Sequence, residues 1–107
     1  MKVSTTENIA GYRVIQTVGV VTGNVVRSKH IGRDIMAGLK TIIGGEIVGY
    51  TEMLAEAREV AAQRMLAQAE QLGADAVVNV RYTTSAIAQG MSEMLAYGTA
   101  VKLGIEV

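Results

Sequence analysis

The residue types that carry most protein chemistry are scarce in this chain, which has one His and no Cys among its 107 residues. Soft-metal centres are built from clusters of Cys, Met and His, so a thiolate site for zinc or copper is excluded. His30 remains, with Asp34 four residues further on. On a helix that spacing sets both side chains on one face, where an imidazole and a carboxylate can share a metal ion. Two ligands make a weak site, and only the symmetry of an oligomer would multiply them around an axis. The plainer reading of His30 is a surface histidine near a helix start. Met91 and Met94 offer thioether sulfur to a soft ion such as Cu(I). Flexible core packing is the commoner use of such methionines.

Arg58 is the sharpest anomaly. On an ideal helix it falls within the apolar stripe, between Leu54, Ala61 and Met65. A buried, unpaired guanidinium is very costly, so the stripe predicts a carboxylate partner, with Glu93, Asp75, Asp34 and Glu46 as candidates. Such a pair would fix helix against sheet or subunit against subunit, or else form half of an anion site at a subunit junction. Tyr50 and Tyr97 are polar-tipped aromatics that could line a small-ligand pocket between subunits, although packing with one satisfied hydroxyl is the default. Glu52 opens a row with Glu56, Glu59 and Glu70 that could attract cations and is more simply a solvated helix face. Gly44-Gly45 precedes a helix, but no Gly-x-x-x-x-Gly-Lys-[Ser/Thr] pattern follows, so it reads as a turn between helices. No Ser-His-Asp or Ser-x-x-Lys arrangement is present, and no catalytic residue is assigned. The candidates are therefore Arg58, Tyr50, Glu52, Tyr97 and Glu93 for a ligand, and His30 with Asp34 for a metal ion, the only cofactor suggested.

These residues must be positioned by a small set of elements. Residues 3–6 read as a short β-branched strand. Residues 12–26 are rich in Val and Ile, with Gly19 and Gly23 as expected bend or bulge points. Fifteen extended residues would span roughly 50 Å, whereas a domain of this size has a radius of gyration of about 13 Å. This strand must bend or project beyond its own domain, where it could pair with a neighbour. Ser28 can cap a helix over 29–43, with Ile31, Ile35, Leu39 and Ile42 on one stripe. Residues 46–72 predict a long helix with Ile47, Leu54, Ala61, Met65, Ala69 and Leu72 on its apolar face and Gly73 as its cap. Two strands follow, over 75–84 and 93–103, with 85–92 as the loop between them. The last strand carries Leu95, Tyr97, Thr99, Val101 and Leu103 on one face and the small residues Ala96, Gly98 and Ala100 on the other. Small residues in a row let a helix lie close to a sheet. The order is β-α-α-β-β, with the last two strands a hairpin.

Composition sets the frame. The length suits a single domain over residues 1–107, without disulfide staples. Ten Lys plus Arg balance ten Asp plus Glu, so no basic stripe invites nucleic acid or an anionic membrane surface. No apolar run approaches the roughly 20 residues that cross a bilayer. The first eight residues are polar and lack the apolar core of a secretion signal, so a cytoplasmic location is expected. Half the residues are apolar (50%), yet there is no Trp and no Phe. That is more apolar surface than a small monomer hides easily, and the excess points to a subunit interface.

Three segments carry a resemblance in order and spacing. They are Gly44-Gly45-Glu46 leading into Tyr50-Thr51-Glu52-Met53 and Glu56-Ala57-Arg58; Leu72-Gly73-Ala74-Asp75-Ala76-Val77-Val78; and Ala96-Tyr97-Gly98-Thr99-Ala100-Val101. With Thr5-Thr6, Gly19, Gly23 and Arg33-Asp34, the set resembles the YbjQ-like family, catalogued as putative heavy-metal-binding domains, over nearly the whole chain. The resemblance implies an α+β, dodecin-like β-α-β-β subunit with a long helix on a small curved antiparallel sheet. It also implies a homopentameric ring in which short extra strand segments join neighbours. The function expected is a non-catalytic binding module with small-ligand or metal-ion sites at subunit junctions. The alternatives are a structural or interaction scaffold without a ligand, and an enzyme whose site is shared between subunits.

Overall fold

The computed structural model describes residues 1–28 and 48–106, and the side chains of residues 48–50 are outside the description. The predicted helix over 29–43 and the Gly44-Gly45 turn lie outside the described residues. The elements in chain order are β1 (Lys2–Val3), β2 (Tyr12–Ser28), α1 (Val48–Gln71), β3 (Ala76–Ala88) and β4 (Met91–Ile105). The strands form one sheet in the order β1-β3-β4-β2, and α1 packs on one face of it. The class is α+β, as expected. The sheet is mixed rather than antiparallel, however, because β1 runs parallel to β3 through Lys2↔Ala76 and Val3↔Val77.

β4 is the central strand, antiparallel to β2 on one side and to β3 on the other. The 17 residues of β2 lie against the 15 of β4, and the two extra residues are absorbed at register shifts between Val14 and Gln16 and between Thr17 and Gly19. β3 shifts likewise between Val78 and Arg81 and between Ala86 and Ala88. Bulges of this kind bend a strand and raise its twist. Gly19 is thus a bulge residue as expected. Gly23 is not: it pairs in regular register with Ala96 and has a different role, described below.

The segment expected as a loop, 85–92, is mostly strand. β3 continues to Ala88, a tight turn takes Gln89 and Gly90, and β4 resumes at Met91. The long strand does not fold back on itself. It projects, giving extents of 61 × 25 × 16 Å and a radius of gyration of 17.8 Å.

The helix buries Ala57, Ala61, Met65 and Ala69 against Val21, Val25, Val77, Val80, Met94, Ala96 and Ala100. That row has a period of four, so it follows the ridge inclined across the helix rather than its axis. An ideal-wheel average therefore misplaces two residues. Arg58, expected to be buried and paired, is exposed, and no charged side chain is buried among the described residues. Leu72, expected on the apolar face, is also exposed. The small face of β4 meets the helix as the sequence implied. α1 ends in a Schellman cap, with the Gly73 amide donating to Glu70 O (3.0 Å), the Ala74 amide to Ala69 O (3.1 Å), and Gly73 at φ +75°.

A second, smaller core lies on the other face of the sheet. Ala76, Val78 and Val101 are buried there, with Ile9 and Leu103 packed against them. Ile9 covers this half of the face, while residues 4–6 run along the edge of β3. The Val80 amide donates to Ser4 O, the Asn79 amide to Thr6 O, and Arg81 Nη1 to Thr5 O (2.8 Å).

Candidate functional site

Two places in the fold concentrate unusual geometry. The first is where α1 meets the outermost strand. A Cβ on Gly23 would stand 2.1 Å from Ala61 O, 2.4 Å from Met65 N and 2.9 Å from Arg64 Cβ. The helix backbone thus rests directly on the strand backbone, and only Gly permits this. On either side of Gly23, α1 grips the strand edge with polar side chains. Gln68 Oε1 accepts the Thr22 amide at 2.8 Å, and Arg64 Nη1 donates to Asn24 O at 2.7 Å. Arg64 and Gln68 are one turn apart, beside the buried Ala61–Met65 ridge, which is why they reach two alternate residues of one strand.

The second place is the sheet face away from α1, on the reverse side of the stretch that α1 packs against. Strand alternation puts Val20, Thr22, Asn24 and Val26 of β2, Glu93, Leu95, Tyr97 and Thr99 of β4, and Arg81, Thr83 and Ser85 of β3 on this face. None of these is buried. Val20 is 74% exposed, and Val26, Tyr97 and the nearby Ile87 are also large exposed apolar residues. Cross-strand rows place Tyr97 between Thr22 and Arg81, and Glu93 between Val26 and Ser85.

The predicted site residues divide between the two faces. Tyr97 and Glu93 share the open face. Arg58 and Glu52 are exposed on α1, which packs on the opposite face, so one chain does not bring the two pairs together. Tyr50 lies in α1 with its side chain outside the described residues, and His30 and Asp34 lie outside them altogether. Of the carboxylates proposed to meet Arg58, Asp75 is engaged elsewhere: its Oδ2 accepts the Leu103 amide at 2.9 Å. Met94 is buried against the helix and accepts a hydrogen bond from Thr84 Oγ1, the packing use expected of it. Among the described residues, no group of three His, Asp or Glu side chains could hold a metal ion. No helix of the described residues is long and apolar enough to cross a membrane.

Sequence reasoning missed Gln68, Arg64 and the contact role of Gly23. The available signal was a Gly in a Val-rich strand together with an all-Ala-and-Met ridge, Ala57, Ala61, Met65 and Ala69, in the helix. Small residues on both surfaces mark close approach.

Comparison with known proteins places the chain. It matches, over residues 1–104, the family described as "putative heavy-metal-binding". A UPF0145 protein of Shewanella frigidimarina is 68% identical over 101 residues, covering 94% of each chain. A UPF0145 protein of Thermotoga maritima is 62% identical over 103 residues, covering 96% of this chain and 97% of that one. A crystal structure of a protein of unknown function of the DUF74 family from Pediococcus pentosaceus superposes with a TM-score of 0.62 at 18% identity, covering 97% and 98% of the two chains. That last likeness is one of fold. With the matched segment running through every described element, the chain belongs to the YbjQ-like, UPF0145 family.

Proposed function

We infer that this protein is a non-catalytic binding module of the cytoplasm that works as a homopentameric ring of dodecin-like subunits, with ligand sites at the subunit junctions. The single observation that carries this reading is the open face of the projecting sheet. An uncovered sheet face on the side away from α1, with Val20, Val26, Tyr97 and Ile87 exposed, has the character of a surface made to be covered. Residues far apart in one chain, such as Arg58 or Glu52 on α1 and Tyr97 or Glu93 on β4, come together only across a junction. A polar-tipped aromatic in a row between Thr22 and Arg81 suits a small polar ligand. The family description supports a metal ion as a second ligand class, for which His30 and Asp34 are the candidate ligands.

The test is a native mass spectrum of protein purified without added metal or chelator. A pentamer carrying extra mass supports the ring with a ligand, and the mass begins to identify it. A bare pentamer shifts the reading to a ring that presents a surface to partners without a ligand. A monomer refutes the assembly and with it the junction sites.

A further inference from the structure

We propose that Arg64 and Gln68 guard the outer edge of β2 and so keep the sheet from growing copy upon copy. β2 is the outermost strand on its side of the sheet. On an antiparallel ladder every second residue turns both its N–H and its C=O away from the partner strand. Thr22 and Asn24 are two such residues, since the Thr22 amide and Asn24 O both reach outward to α1. An edge of this kind is a ready template for another strand. The usual defences are thin here: the chain has no Pro, and between Tyr12 and Ser28 the only charged residues are Arg13 and Arg27, near the two ends.

The opposite side of the sheet makes the danger specific. β1 and residues 4–6 pair with β3 only as far as Val80, so the outer edge of β3 from residue 82 to 88 meets no strand among the described residues. That stretch, Tyr-Thr-Thr-Ser-Ala-Ile-Ala, has no charge. A sheet with two different open edges on opposite sides can add copies head to tail without closure, the route to fibres. The helix blocks the middle of one of them. It is pressed onto β2 at Gly23, and from that contact Gln68 and Arg64 reach to the residues on either side and occupy the groups an incoming strand would need. The β2 edge is thereby interrupted at its middle, which leaves the β3 edge the better template for an ordered contact. The guard is a property of one chain, so it stands whether the assembled protein is a ring or not.

The test replaces both guards by side chains of similar length without hydrogen-bonding groups, Arg64→Leu with Gln68→Leu. Sheet growth is followed by light scattering and thioflavin T fluorescence, and folding by urea denaturation. Two hydrogen bonds of ordinary net worth correspond to a shift of roughly 30-fold toward an open edge. The double variant is expected to fold and to associate faster by about that factor. Arg64→Lys with Gln68→Glu, which retains a donor and an acceptor, is expected to behave as the parent. Adding Thr84→Pro, which removes an outward amide from the β3 edge, is expected to suppress the growth. A folded leucine variant that associates no faster than the parent overturns the proposal. Should that variant not fold, amide exchange in the parent decides: the Thr22 amide, held by Gln68, must exchange more slowly than the Asn24 amide beside it. Equal rates overturn the proposal too.

Discussion

Gly23→Ala is the most informative single substitution in this protein. The added methyl would meet Ala61 O at 2.1 Å and Met65 N at 2.4 Å, both helix backbone, so no side-chain rotation relieves it. Ordinary contact begins near 3.4 Å, so α1 must lift by at least about 1.3 Å over its own centre. Lifting it loosens Ala57, Ala61, Met65 and Ala69 from the sheet together. Overpacking of this kind costs about 1–3 kcal/mol. The two hydrogen bonds to Thr22 and Asn24 stretch at the same time, adding about 1 kcal/mol each. The expected loss is about 3–5 kcal/mol, a large part of the stability of an ordinary domain. With a urea m-value of about 1.5 kcal/mol/M, the midpoint should fall by about 2–3 M. Gly19→Ala is the contrast: no atom lies within 4 Å of its Cβ, so it pays only for its backbone conformation. A Gly23→Ala midpoint close to that of the parent would refute the account of how the helix sits on the sheet.

Three further outcomes follow from the packing. Arg58→Ala should change the stability of the isolated subunit, read from its thermal unfolding, by no more than about 0.5 kcal/mol, because Arg58 is exposed; a loss of several kcal/mol in the assembled protein alone would place Arg58 in a subunit contact. Met65→Ala should cost about 2–5 kcal/mol in urea denaturation, because Met65 is fully buried in a row of alanines that cannot close the cavity. Asn79→Val should cost about 1–2 kcal/mol and Asn79→Gly almost nothing, because Asn79 holds φ at +53° within the β3 bulge; equal stability of the two would show that the bulge relaxes.

How much of this was legible in the sequence depended on whether the signal was local. α1 was placed to within two residues at its start and one at its end, because Gly73 ends it and its interior has strong helix formers. The small face of β4 announced the helix contact. The extension of β3 beyond Thr84 was invisible, since residues 83–86 are exposed, carry no large apolar side chain and so have no period to read. Arg58 was misread because the buried ridge climbs around the helix with period four, and an ideal wheel averages over that climb. The parallel β1 was unreadable in a different way: a two-residue strand has no pattern, and its direction is set by Ala76 and Val77, over seventy residues away. Of the candidate site residues, Tyr97 and Glu93 lie on one face of the sheet, as their even spacing on β4 implies. Gln68 and Arg64 were not found, because on the sequence they are ordinary polar residues of a solvated helix side.

The pairing of β2 with β4 bears on how the chain reaches this fold during synthesis. Tyr12 pairs with Ile105 and Ser28 with Met91, so the first long strand finds its partner only in the last. At about 5–20 residues per second, the 77 residues from Ser28 to Ile105 take roughly 4–15 s to emerge. For that interval a Val- and Ile-rich segment is complete and without its sheet. The β3–β4 hairpin closes over a two-residue turn and is quick to form, but it too arrives at the end. Such a chain folds late and all at once, with high contact order and slow closure. In the nascent protein, therefore, α1 is, among the described elements, the one made early enough to shield β2, and its own row of alanines and Met65 gives it an apolar side with which to do so.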